Sequence, residues 1–131
     1  MGKKKKATTA KPTEAEQEIL QTLWALEKAT VRQVHTELVR KRDIGYTTVL
    51  KLMQIMFEKE ILDRDESQRS HIYWPRQKAQ VTQRRLVKDF VQKVFGGSTE
   101  KLVLHALSTK KATPGEIANI RKMLDEMEEG Q

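Results

Sequence analysis

Apolar residues recur at helical spacing along most of this chain, with one stretch that changes to a strand-like pattern. Ala15, Ile19, Leu20, Leu23, Trp24 and Leu26 form the first stripe and predict a helix over 13–27. Pro12 precedes it, and Thr13 followed by Glu16 has the spacing of a capping box. Trp24 reads as part of the core side. Thr30 with Gln33 repeats the cap signal, and Val31, Val34 and Leu38 predict a second helix over 31–41. The link Arg42-Asp43-Ile44-Gly45 is turn-like. A third helix follows over 47–59. Its Val49, Leu52, Met53, Met56 and Phe57 fall at i, i+3, i+4, i+7 and i+8, while Thr47, Thr48, Lys51, Gln54 and Glu58 occupy the opposite face.

The period then shortens. Ile61-Leu62-Asp63-Arg64-Asp65 and Ser70-His71-Ile72-Tyr73-Trp74 flank the polar tip Glu66-Ser67-Gln68-Arg69, which predicts a β-hairpin closed off by Pro75. Helical spacing resumes over 76–95 with Val87, Phe90, Val91, Val94 and Phe95, and Gly96-Gly97 stops it. Ser98 can cap a short helix over 99–108 that carries Leu102, Val103, Leu104, Ala106 and Leu107. Thr113, Pro114 and Glu116 give the strongest start signal in the chain, and Ile117, Ile120, Leu124 and Met127 carry that last helix to about 128.

Three short helices followed by a hairpin predict a mainly α chain with a small β-hairpin wing. The expected architecture is a winged helix-turn-helix over 12–75, followed by a helical dimerisation region over 76–131. In that order the first two helices bury the apolar side of the third and leave its polar side free to enter a major groove, where base edges differ in their donors and acceptors. Thr47, Thr48, Lys51 and Gln54 are the candidate base contacts. Thr can pack on a thymine methyl, Lys can donate to guanine, and Gln can pair with adenine. Arg40, Lys41, Arg42 and Tyr46 beside the helix, and Arg69 at the hairpin tip, are candidate contacts to the DNA backbone. Residues 76–131 carry apolar stripes on three helices but are too few to bury them comfortably alone. A second copy would cover them, with Val87, Phe90, Val91, Leu104, Leu107, Ile117, Ile120 and Leu124 as the expected interface. A two-fold dimer would then set two reading heads on a pseudo-palindromic site, with half-sites about one helical turn apart. A winged helix that contacts protein, or DNA without sequence preference, stays open as the alternative.

Charge refines this picture. The chain has 131 residues and a net charge of +7, which suits an anionic partner such as double-stranded DNA. The surplus is uneven: +5 over 1–11, −2 over 12–75, +5 over 76–95 and −1 over 96–131. A nucleic-acid surface within 12–75 must therefore come from local segregation. Arg32, Arg40, Lys41, Arg42 and Lys51 supply it, with only Glu37 and Asp43 among them. The Lys-rich stretch 1–11 is expected to be a disordered tail.

Other chemistries find little support. There is no cysteine, so disulfides and thiolate sites are excluded. His35, His71 and His105 lie in three separate elements without acid or His partners at ligand or triad spacing. No nucleophile elbow, phosphate loop or dinucleotide-binding glycine pattern occurs, so neither an enzyme nor a cofactor or metal is expected. No apolar run reaches the ~18–20 residues of a membrane span. Lys6 breaks a myristoylation pattern, and no apolar segment follows the basic start. A cytoplasmic protein is expected.

Several stretches taken in order resemble the penicillinase and methicillin-resistance repressor family, the BlaI/MecI group. They are Thr13-Glu14-Ala15-Glu16-Gln17-Glu18-Ile19-Leu20 with Leu23-Trp24, Tyr46-Thr47-Thr48-Val49, Tyr73-x-Pro75 after Arg69, and Leu102-Val103-Leu104 before Pro114-Gly115-Glu116-Ile117. The resemblance spans Thr13 to Met127. It implies a homodimeric repressor with an N-terminal winged helix, with Thr47, Thr48 and Lys51 on the reading helix and Arg69 in the wing. It also implies a further partner, the protease of a membrane sensor system, which cuts such repressors between an Asn and a Phe. His105-Ala106 occupies the matching place, and neither residue matches. A copper-responsive branch uses C-terminal cysteines, which this chain lacks. Glu60 departs as well, because the family often has Gly just after the reading helix. That helix is expected to end without a left-handed glycine.

Overall fold

A computed structural model describes residues 11–130. The expected tail, apart from Lys11, lies outside the described residues. The order is α1 (Glu14–Leu26), α2 (Val31–Val39), α3 (Tyr46–Glu58), β1 (Leu62–Asp65), β2 (Ile72–Pro75), α4 (Ala79–Phe95), α5 (Thr99–Thr109) and α6 (Pro114–Glu129). The chain divides into two compact units, one up to Leu86 and one from Val87.

In the first unit α1 and α2 start where their cap residues direct. The Thr13 hydroxyl accepts from the Glu16 N–H while the Glu16 carboxylate accepts from the Thr13 N–H. Thr30 and Gln33 make the same reciprocal pair. Such caps satisfy N–H groups that have no partner within the helix. Ile19, Leu20 and Leu23 of α1, Val34 and Leu38 of α2, and Val49, Met53 and Met56 of α3 meet in one core, which Leu62 and Tyr73 of the hairpin complete. Each such side chain contributes about 1.5–3 kcal/mol on full burial. Trp24, Leu50, Leu52 and Phe57 pack around that core but stay partly exposed, and Leu26 is exposed.

Glu16 is a carboxylate at 2% exposure. Lys59, just past α3, reaches it at 2.8 Å. A buried charge requires such a partner, so this pair ties the first turn of α1 to the end of α3.

The hairpin is antiparallel, with Leu62 opposite Pro75 and Asp65 opposite Ile72. Ser70 and His71, expected in the second strand, belong instead to a longer tip. Ala29 and Tyr73 exchange backbone hydrogen bonds of 3.0 and 2.8 Å. That bridge seats the start of α2 against the wing. α4 begins at Ala79, three residues later than periodicity predicts. The intervening backbone is committed elsewhere: the Arg76 N–H donates to the Ile61 carbonyl, and the Gln77 carbonyl accepts from the Trp24 indole at 3.2 Å.

Glu60, just past α3, has φ 68°. The expectation that this helix ends without a glycine is met by a glutamate that takes the left-handed conformation itself. Arg76 holds its carboxylate at 3.2 Å.

In the second unit Gly96 (φ 59°) and Gly97 (φ 88°) reverse the chain after α4, a conformation glycine adopts without steric penalty. Ser98 caps α5 through the Lys101 N–H. Thr113, Pro114 and Glu116 form the expected capping box on α6. Among residues 87–130 only Val91 is buried, at 9% exposure. Leu104, Leu124 and Met127 are 62%, 56% and 66% exposed.

Candidate nucleic-acid interface

The two faces of α3 separate as its period requires. Val49, Met53 and Met56 are fully buried, while Thr47, Thr48, Lys51, Gln54 and Glu58 are exposed. No described residue bonds or pairs with Lys51 through its side chain. Gly45 precedes the helix with extended backbone and offers no side-chain cap to its first turn. Such a helix start favours an anion.

The turn before α3 is pinned from inside. The Ile44 side chain is buried, and its carbonyl accepts from His35 Nε2 at 2.9 Å. His35 is thereby a satisfied structural residue. Its ring also meets the Tyr46 ring edge-on at 5.8 Å, and the Arg32 guanidinium lies 5.3 Å from the Tyr46 ring centre. These contacts fix Tyr46, itself exposed, at the start of α3.

Between α3 and the wing runs an open groove of about 380 Å³. Thr30, Arg32, Tyr46, Gln54, Arg69 and His71 are among the residues that line it. Arg69 stands exposed in the tip. The tip is shaped by Asp65, which accepts from the Ser67 N–H at 2.9 Å. That hydrogen bond holds the Asp65 carboxyl below its ordinary range. The wing is locked to α3 by Arg64, whose guanidinium stacks 3.9 Å from the Phe57 ring centre and donates to the Tyr73 hydroxyl at 3.3 Å.

Not every basic residue near this face is free. Arg42 is held by Glu18 at 2.9 Å, and Arg40 lies 3.9 Å from Glu37. Lys41 is exposed. Arg76 is bound to Asp63 at 2.7 Å and to Glu60, and the Asp63 hydrogen bond raises its pKa. The place of Thr30 and His71 in the groove was not legible in sequence. It follows from the Ala29–Tyr73 bridge, whose partners lie far apart along the chain.

Among the expected interface residues of the second unit, Val87, Phe90, Leu104, Leu107 and Leu124 are exposed, Ile117 and Ile120 are half-buried, and Val91 is already buried in the single chain. His105 and Ala106 lie exposed within α5, with the His105 ring stacked 5.5 Å from that of Phe95. Among the described residues no cluster of His, Asp and Glu could hold a metal ion, and no helix is long and apolar enough to cross a membrane.

A three-helix head that exposes the polar side of its third helix beside a two-stranded wing defines a winged helix-turn-helix protein. The chain belongs to the penicillinase repressor family, whose pattern matches residues 12–126. It is similar to the penicillinase repressor of Staphylococcus aureus, 22% identical over 113 residues that cover 86% of this chain and 90% of that protein. It is similar to the transcriptional regulator BlaI of Mycobacterium tuberculosis, at 29% over 117 residues, 88% of this chain and 83% of that one. The methicillin resistance regulatory protein MecI of Mammaliicoccus sciuri is 23% identical over 111 residues, 85% and 90% of the two chains.

Proposed function

We propose that this protein is a homodimeric transcriptional repressor that acts in the cytoplasm on a pseudo-palindromic operator. The observation that carries the reading is the division of α3: its apolar side is sealed in the core and its Thr47, Thr48, Lys51 and Gln54 side is open. Thr47, Thr48, Lys51 and Gln54 read bases in the major groove. Tyr46, Lys41, Arg40 and Arg69 meet phosphates on either side, and Arg42 joins them only by leaving Glu18. Membership of a repressor family supports the role.

Dimerisation rests on the apolar surface left open after Val87. A segment that buries only the Val91 side chain and exposes Val87, Phe90, Leu104, Leu107 and Leu124 gains most of its stability by covering them. A second copy brings the matching surface with two-fold symmetry. Joining two heads also raises affinity for a paired site without new contacts. Because His105-Ala106 stands where relatives are expected to be cut, release by a sensor protease is not part of this proposal.

The test is binding of the full chain to the DNA upstream of its own gene and to random duplex, across several salt concentrations. The proposal requires a specific preference of about 10³-fold or more at physiological salt. A steep salt slope with equal affinity for both duplexes would replace it with the architectural reading.

A further inference from the structure

The chain has two tryptophans, and both line one cavity away from the α3 face. It opens where the end of α1, β2 and the segment leading into α4 come together, and has a volume of about 420 Å³. That lies within the ~300–1,000 Å³ usual for small-molecule sites. Trp24 and Trp74 form its aromatic surfaces, with Pro75 beside them. Both rings are only partly buried, which leaves aromatic area for another ring. Lys28 and Lys78 stand at the cavity, both exposed. The Lys28 ammonium sits 5.4 Å from the Trp74 ring centre. Glu27 is the one acid among the lining residues.

The polar groups decide the class of ligand. The Trp24 indole N–H is already spent on the Gln77 carbonyl, and Arg76 is held by Asp63 and Glu60. The charged donors left at the cavity are the two lysine ammonium groups, beside the neutral Trp74 indole N–H and Gln77 amide. A cation would meet Lys28 already over the face of Trp74, where its attraction to the ring would lie. An anion would meet two ammonium groups and a single carboxylate in the lining, Glu27. A planar apolar body would cover the indole and proline surfaces.

We propose that this cavity is a binding site for a small planar aromatic carboxylate, with its ring against Trp24 and Trp74 and its carboxylate toward Lys28 and Lys78. The site shares no residue with the α3 face, so it stands or falls independently of DNA recognition.

The experiment is calorimetric titration of the full chain with trans-cinnamate, cinnamamide and hexanoate, read in parallel by tryptophan emission. Cinnamate should bind one molecule per chain with a Kd of roughly 0.1–1 mM. Cinnamamide, which lacks the charge, and hexanoate, which lacks the ring, should each bind at least about tenfold more weakly. Trp74→Leu should weaken cinnamate by about tenfold. The double variant Lys28→Gln/Lys78→Gln, which alters only exposed side chains, should lower cinnamate to the level of cinnamamide. No heat and no change in emission with cinnamate would overturn the proposal. So would cinnamamide binding as tightly as cinnamate, or the lysine variant binding cinnamate like the parent.

Discussion

Glu60 is a sharp test of how this chain ends α3. It holds φ 68° without being glycine, a conformation that costs a side-chain-bearing residue about 1–2 kcal/mol. Replacing it by alanine or by glycine removes the same ion pair to Arg76 at 3.2 Å, whose partners are 28% and 27% exposed. At that exposure the pair is worth no more than about 1 kcal/mol, and Arg76 keeps Asp63. The alanine variant retains the left-handed strain, whereas the glycine variant relieves it. Glycine gives back about 0.5–1 kcal/mol through greater freedom of the unfolded chain. Glu60→Gly should therefore be more stable than Glu60→Ala by about 0.5–1 kcal/mol, or roughly 2–5 °C in Tm, the reverse of their order inside a helix. Urea unfolding followed by tryptophan emission reports it directly, because Trp24 and Trp74 lie in the same unit as Glu60. Protein concentration must be held fixed, since association shifts apparent stability. Equal midpoints, or a more stable alanine variant, would refute the argument from left-handed strain.

Lys51→Ala should weaken operator binding by about 1–3 kcal/mol and leave random DNA nearly unaffected if Lys51 meets a base; fluorescence anisotropy on both duplexes decides, and equal losses would make it a phosphate contact. Arg69→Ala should weaken both duplexes alike and reduce the salt slope by about 0.9, measured over a series of salt concentrations. Phe90→Glu and Leu124→Glu should each give monomers in analytical ultracentrifugation, and an unchanged sedimentation coefficient for both would remove the proposed interface. Glu16→Gln keeps an acceptor for the Thr13 N–H but loses the charge that Lys59 meets at 2.8 Å. It should cost about 1–2 kcal/mol in urea unfolding, and a variant as stable as the parent would mean that the buried charge contributes nothing.

The local signals in the sequence carried the fold a long way, for physical reasons. The capping pairs Thr13/Glu16, Thr30/Gln33 and Thr113/Glu116 act within four residues, and all three form as read. The split of α3 into Val49, Met53 and Met56 against Thr47, Lys51 and Gln54 is a matter of helical period alone. What stayed hidden depends on partners distant in the chain. Nothing near Glu16 announces Lys59, and nothing near Arg42 announces Glu18. Those two pairs change the candidate site itself, since one braces α3 and the other occupies a guanidinium expected to be free for phosphate. α4 starts three residues later than its period predicts because two backbone groups after Pro75 bond to Ile61 and Trp24, which periodicity cannot register.

The bridge between Ala29 and Tyr73 has a consequence for how members of such a fold can diversify. It pins β2 at Tyr73, one pair in from the tip, from a third stretch of chain, so the seat of that strand does not depend on the turn that joins it to β1. Extra residues inserted between Glu66 and His71 would be absorbed by that turn, at an entropic cost growing only with the logarithm of its length, about 0.6 kcal/mol per doubling. The tip could then lengthen or shorten over generations while α3 stays seated as it is.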